Sequence, residues 1–233
     1  MKSIDRLISE QVLTWAKREA LAKKEHKKTK FWPVITISRE FGARGKYLAH
    51  EIGRRTGFRV WDKDLISAIA EESGADERFL SSLDERRRSL IDDTLHGTLM
   101  GAKLSNTQYL RSLLRVVHTV GAHGKGIIVG RGGNYIIKSP DALRIKVVCP
   151  LEKRVAYITE RDDISDKEAL KLINSRDKDR RDFVQHYFKR DSDNASDYDL
   201  MLNSDSFTND QMVEMVLKAY EMKVGEAIPI IEQ

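Results

Sequence analysis

Cysteine is almost missing from this chain. Its 233 residues include one, Cys149. No internal disulfide can form, so a disulfide-stapled secreted scaffold is excluded. Proline is scarce, at four residues, and no segment is of low complexity, which excludes a proline-rich disordered chain. No apolar run approaches the ~18 residues that a membrane-spanning helix needs, so no membrane partner is expected. The opening MKSIDRLISEQ carries charges inside its apolar stretch. That is unlike a secretory signal, and a cytoplasmic setting is the expectation. None of His26, His50, His96, His118, His123 and His186 is spaced with carboxylates as a metal site would be. With no cysteine cluster either, a structural zinc is not expected. No nucleophile–base triad is visible. Cys149 sits in a β-branched stretch, as a small buried hydrophobe does.

What the chain does have is charge, with 41 Lys and Arg against 36 Asp and Glu, or +5 formally. A modest basic excess suits a protein that handles phosphates and also suits weak nucleic-acid binding. It is concentrated in residues 17–30, KREALAKKEHKKTK. A solvated helix face explains this run more simply than a nucleic-acid arm, and no base-reading motif accompanies it. Ahead of it, Ile4, Leu7, Ile8, Val12, Trp15 and Ala16 recur at helical spacing. They form one apolar stripe on an N-terminal helix, expected to pack on the body of the protein or on a second copy as a homodimer contact.

The rest of the chain alternates between two periodicities. Residues 34–37, 58–61, 126–130, 144–148 and 198–202 are short, apolar and mostly β-branched, and are expected as strands. Helices are expected at 46–56, 64–72, 109–120, 151–161, from 165 towards 181, and from 208 to 222. Ser165 with Glu168, and Thr208 with Gln211, have capping-box spacing. Residues 75–101 are polar and charged, with ERRRSL and HGTLMG, and suggest an inserted helical lobe. Strands separated by helices give a parallel sheet with helices on both faces, and ligands of such sheets bind beyond the carboxyl ends of the strands. SREFGARGK, WDKD, GRGGN and LNSD all fall at such ends. That clustering marks a site.

The first of these segments continues as SREFGARGKYLA. A P-loop has the form G-x-x-x-x-G-K-[ST], with amides around the phosphates, a lysine on the outer phosphates and a hydroxyl on Mg²⁺. In the frame set by Gly45-Lys46, Glu40 replaces the first glycine and Tyr47 replaces the hydroxyl. The physical requirements survive better than the pattern. Gly42 and Gly45 permit unusual backbone angles, the helix beyond offers free amides, and Arg39, Arg44 and Lys46 supply charge. A tight turn with incidental basic residues is the alternative.

In order along the chain come ITISREFGARGKYLA, VWDKDLI, IIVGRGGNYII, SPDALRIKVVCPLEKRVAYITERDDIS, and finally DKDRRDFVQHYF with YDLMLNSD. This ordered set resembles the cytidylate kinase-like family, a divergent branch of the P-loop nucleoside-monophosphate kinases. The resemblance implies an α/β, three-layer P-loop kinase fold with a parallel sheet. It would occupy residues 32–226, with a helical insertion or acceptor lobe at 75–110 and a lid at 165–195, preceded by a helical extension at 1–31. It also implies ATP, Mg²⁺ and transfer of the γ-phosphoryl group to a small phosphate-bearing acceptor, CMP or dCMP by default.

Carried over residue by residue, the resemblance places Ser38, Arg39, Gly42, Ala43, Arg44, Gly45, Lys46 and Tyr47 around the nucleotide. Asp62 would orient the acceptor or a metal-bound water, and Lys63 would meet the acceptor phosphate. Arg131 stands at the arginine of the family's Gly-Arg-Asp stretch, whose aspartate is Gly132 here. Arg176, Arg180 and Arg181 resemble lid arginines, with Asp177 and Asp179 orienting them. Simpler roles exist for several of these. Residues 176–181 would also serve as a charged helix face, and Asp62 as a helix cap. Three functions remain open: a nucleoside-monophosphate kinase, a kinase or nucleotide sensor of the same fold with another acceptor, and a nucleic-acid-binding regulator.

Overall fold

The computed structural model of the protein describes residues 4–24, 31–72, 74–100, 107–137 and 142–231. In chain order its elements are α1 (Ile4–Lys24), β1 (Val34–Arg39), α2 (Gly45–Thr56), β2 (Arg59–Trp61), α3 (Lys63–Glu71), α4 (Ala75–Leu80), α5 (Glu85–Met100) and α6 (Thr107–His123). There follow β3 (Gly126–Val129), α7 (Gly133–Ile136), β4 (Ala142–Val148), α8 (Leu151–Asp162), α9 (Asp166–Phe188), a single 3₁₀ turn at Ala195–Asp197, β5 (Leu200–Asn203) and α10 (Asn209–Val224). The chain divides into two compact units. One comprises Met1–Trp32 with Lys63–Gly126, the other Pro33–Asp62 with Ile127–Gln233.

The first unit is helical. Ile66, Ile69, Phe79, Leu110 and Leu113 are buried in it. The N-terminal stripe is used here, within the chain itself. Ile8 and Trp15 are buried, and the Trp15 ring meets Phe79 edge-on at 5.2 Å and stacks on His123 at 4.0 Å. Leu13 and Leu21 of the same helix remain exposed. Residues 1–3 and 25–30, including much of the basic run and His26, lie outside the described residues, as do 101–106 of the expected insertion. No helix among the described residues is long and apolar enough to cross a membrane.

The second unit is α/β, built on a five-stranded sheet of order β2-β3-β1-β4-β5. Strand β1 pairs parallel with β3 and with β4, and β4 pairs parallel with β5. Burial on both faces explains the continuous apolar runs in β1 and β3. Side chains of β1 alternate. Ile37 and Arg39 lie beside Gly45 of α2, while Thr36 lies beside Gly133 of α7. Chain connections leave β1 towards β2 and leave β4 towards β5, in opposite directions. Adjacent strands with diverging connections open a crevice at their carboxyl ends. Both expected capping boxes form, Ser165 with Glu168 and Thr208 with Gln211, each contributing about 1 kcal/mol. Strand β5 begins at Leu200 and not at residue 198, the 3₁₀ turn just before it taking the Tyr198 N–H onto the Ala195 carbonyl, and the short helix α7 has no signal in the sequence beyond its glycines.

Candidate functional site

The segment after β1 turns at Gly42, whose φ is +85°, and enters α2 through Arg44, an N-cap in the left-handed region with φ 58° and ψ 12°. The sequence suggests that Gly45 supplies the unusual angle. In the structure the residue before it does so, and Gly45 is glycine for a different reason. A Cβ there would lie 2.7 Å from the Cβ of Arg39. The first intrahelical bond recorded runs from the Leu48 N–H to the Arg44 carbonyl, and no side chain caps the helix. First-turn amides of a helix have no acceptor within it, and they lie at the positive end of its dipole. Ala43 and Gly45 are buried; Lys46 and Tyr47 are exposed.

The three cations of the loop diverge, each towards a different strand end. Arg39 runs past Gly45 to the end of β3, where a Cβ on Gly130 would overlap its Nη1. Arg44 turns to the segment after β5, donating to the Ser204 carbonyl and, at 3.2 Å, to Oδ1 of Asn209. Lys46 pairs with Asp62 at the end of β2, Nζ to Oδ2 3.2 Å, with the lysine side chain mostly in solvent. Ser38 faces the other side of the sheet from Arg39. The Tyr198 hydroxyl donates to the Ser192 carbonyl at 2.7 Å and lies 3.3 Å from Oγ of Ser38. Burial pushes the Tyr198 phenol upward. Beside them Lys146 is 4% exposed, and its Nζ donates to the Ser192 carbonyl and to Oδ1 of Asp193.

Helix α9 is bonded to the loop. Asp177 accepts the Phe41 N–H on Oδ1 at 2.7 Å, and on Oδ2 accepts from Nη1 of Arg154 at 2.5 Å. Arg180 donates to the Arg39 carbonyl at 3.0 Å and lies 3.6 Å from Asp177. Burial pulls its guanidinium below the ordinary value. The Phe41 ring lies between two cations, Arg161 at 5.4 Å and Arg180 at 5.5 Å, contacts worth about 0.5–1 kcal/mol each. It also packs on the Ile158, Ala169 and Ile173 cluster joining α8 and α9. Arg131, with φ 51°, lies over the Phe183 ring of α9 at 4.9 Å. A Cβ on Gly132 would overlap the Phe188 ring.

The model of the Cytidylate kinase-like family matches residues 34–206, well over half of the chain. The chain belongs to this family. Membership supports kinase-like phosphotransfer and nucleotide use as a reaction class, without naming an acceptor. Among solved structures, an uncharacterized protein from Eubacterium ventriosum is 17% identical, with 81% of this chain and 98% of that chain covered at a TM-score of 0.61. The two share a fold. A sugar kinase from Janibacter sp., in an unliganded structure, is 11% identical over 82% of this chain and 95% of its own, with a TM-score of 0.45. That overlap is too loose for its name to bear on this chain. Among curated proteins, the uronate isomerase of Corynebacterium glutamicum is 27% identical over 107 residues, 46% of this chain. The aligned part is 21% of that protein, so the chain spans about a fifth of its length.

Of the residues expected at the site, the structure brings Arg39, Gly42, Ala43, Arg44, Gly45, Lys46, Asp62, Arg131 and Arg180 to the carboxyl edge of one sheet. Tyr47 is there too, turned to solvent. Ser38 is on the opposite face. Lys63 belongs to the other unit, 3.6 Å from Asp64. Arg176 and Arg181 are exposed on α9. Sequence reasoning missed Arg154, which is 7% exposed and ties Asp177 to the loop. Nothing in KRVAYITERD distinguishes it from a surface arginine.

Proposed function

We propose that this protein transfers the γ-phosphoryl group of ATP to a small phosphate-bearing acceptor, first among candidates a pyrimidine nucleoside monophosphate such as CMP or dCMP. One observation carries the reading. A helix start with uncapped amides is met, at one sheet edge, by a lysine–aspartate pair, a threaded arginine and a lid arginine bonded to the loop. In the reaction an acceptor phosphate oxygen attacks the γ-phosphorus, the bond to the β–γ bridging oxygen breaks, and ADP leaves. The protein's task is positioning and neutralising charge.

The amides of residues 42–47 would hold the β-phosphate, with Arg39 and Lys46 supplying charge. Arg131 and Asp62 would position the acceptor, as would Lys63 and Arg181. Arg180, with Arg176, would close over the transferring group. Residues 75–110 would form the acceptor lobe and 165–195 the lid of a domain at 32–226, and residues 1–31 a helical extension. Leu13 and Leu21 would be the contact of any homodimer.

Mg²⁺ is tested by the donors present. Among the described residues no cluster of three His, Cys, Asp or Glu exists. Asp62 offers one carboxylate beside the loop, while the Ser38 hydroxyl points away. Mg²⁺ keeps several waters and is commonly held by one or two carboxylates plus substrate phosphates, so the donor set fits. When bound, the ion supplies neutralisation of phosphate charge.

The test is a labelled-ATP assay over CMP, dCMP, UMP and a panel of other small phosphorylated molecules. Transfer to a pyrimidine monophosphate is expected, and transfer to no member of the panel overturns the proposal. A second reading keeps ATP but changes the acceptor, or reduces the protein to a nucleotide sensor. It is favoured by Gly132, where the family's aspartate is missing and the Phe188 ring takes the space. Thermal stabilisation by ATP without transfer to CMP, dCMP or UMP would decide for it.

A further inference from the structure

We infer that Arg39 is the cation that reaches the transferring phosphoryl group, in the place a P-loop gives to its lysine. The inference rests on the phosphoryl-transfer reading above and assigns one role within it. In a P-loop the lysine follows the glycine that leads into the helix, and its side chain reaches the outer phosphates. Sequence alignment on Gly45-Lys46 makes Lys46 that residue. The backbone shifts the frame by one. The left-handed residue leading into α2 is Arg44, with φ 58°, and the first helical residue is Gly45. Lys46 is then the second helical residue, with its side chain 65% exposed and paired to Asp62.

The slot that the lysine would use is therefore headed by a glycine with no side chain, and another side chain fills it. The Cβ and Cγ of Arg39 lie 2.7 Å and 3.1 Å from where a Cβ of Gly45 would be. At the other end, its Nη1, Cζ and Nη2 are the nearest atoms to a Cβ built on Gly130, and Nη1 would overlap it. The arginine thus leaves β1 beside the first turn of α2 and ends against the residue that follows β3. Both ends of its path run over glycines, and any side chain at either would displace it. The track places a planar, permanently charged fork between the donor loop and the loop bearing Arg131. That geometry suits an arginine bridging phosphate oxygens on both sides. The lid also acts on this residue, because Arg180 holds its carbonyl.

The test compares Arg39→Met, Arg39→Lys and Lys46→Met on the full chain, with turnover on the best acceptor of the panel and ATP binding by calorimetry. Arg39→Met keeps the buried stem and removes the charge. We expect kcat to fall by about 100-fold or more, as for loss of one group that stabilises transition-state charge. Arg39→Lys should retain part of it, and Lys46→Met should cost less than tenfold. The decisive variant combines Arg39→Gly with Gly45→Lys, which empties the track and returns a lysine to the first helical position. It should recover turnover lost by Arg39→Gly alone, which a purely structural arginine would not allow. Equal or greater loss in Lys46→Met than in Arg39→Met, or no loss in Arg39→Met, overturns the inference while the kinase reading stands. If the parent transfers to nothing, the kinase reading fails by itself. Tripolyphosphate affinity, expected to drop at least tenfold in Arg39→Met, then decides the assignment of Arg39, and unchanged affinity rejects it.

Discussion

The carboxylate of Asp177 accepts the backbone N–H of Phe41 at 2.7 Å while holding Arg154 on its other oxygen. One residue of α9 thereby fixes the backbone of the loop after β1. Asp177 and Arg154 are both nearly inaccessible, with side chains 10% and 9% exposed. Removing Asp177 leaves Arg154 buried with only Glu40, 3.7 Å away, as counter-charge, and breaking a buried pair costs up to about 3–5 kcal/mol. Asp177→Ala is expected to lower stability to urea by about that amount. Pairing Asp177→Leu with Arg154→Met should cost less, since Arg154 is then not stranded and only Arg180, 3.6 Å from Asp177, loses a counter-charge. Equal losses in the two variants would show that the tether to Phe41, and not the ion pair, carries the stability.

In the proposed reaction Arg180, unlike Asp177, would act during turnover. It bonds the Arg39 carbonyl, flanks the Phe41 ring and is desolvated. A guanidinium held this way is placed to meet charge that develops at the loop. Arg180→Ala should reduce kcat by roughly 10- to 100-fold, with ATP affinity changed by no more than about threefold. Affinity falling more than kcat would make Arg180 a ground-state contact.

The elements of the fold were legible wherever a single local rule governs them. The β-branched runs of β1 and β3 and the two capping boxes are each set by neighbours in sequence. The segments after β1, β2, β3 and β5 were legible as sharing one edge, because in a parallel sheet all carboxyl ends lie on the same side. What stayed hidden depends on contacts between distant segments. The role of Gly45 is decided by a side chain from β1, and the importance of Arg154 by a carboxylate more than twenty residues away on another helix. Ser38 looks like a loop residue in sequence, yet one more position of strand pairing turns it to the opposite face. Asp199, just ahead of β5, bonds Arg144 and Lys223, both distant in sequence.

Those two bonds give Asp199 a pH signature. Burial alone would raise its pKa, but hydrogen bonds from Arg144 and Lys223 outweigh burial and bring it from 3.8 to about 2. A carboxylate depressed in the folded state stabilises the fold above its unfolded pKa, and that stabilisation is lost as pH falls through the folded value. Asp199→Asn should therefore lower stability at neutral pH and flatten the loss between pH 3.8 and about 2 relative to the parent. Parallel curves for the two proteins across that window would mean that the bonds contribute nothing.

His123 should produce a separate acid response at higher pH. Its ring is 3% exposed, stacks on Trp15 at 4.0 Å, and has Nε2 2.8 Å from Oγ of Ser82. The Ser82 hydroxyl donates to the Phe79 carbonyl at 2.6 Å, so its oxygen accepts and Nε2 carries the proton. A second proton would have to enter at Nδ1, in a buried setting near Arg18 and Arg87. Burial first, then those two charges, lower the pKa from 6.5 to about 3. Between these values the unfolded chain binds the proton and the folded chain does not, so stability falls as pH drops below 6.5, by at most about 1.4 kcal/mol per unit. His123→Phe keeps an aromatic ring for Trp15 and has no proton to gain. It should be less stable than the parent at pH 8, where the Ser82 bond is lost, and the gap should narrow as pH falls from 6.5 towards 4. A gap that stays constant would show that the ring is protonated in the folded protein as readily as in the unfolded chain.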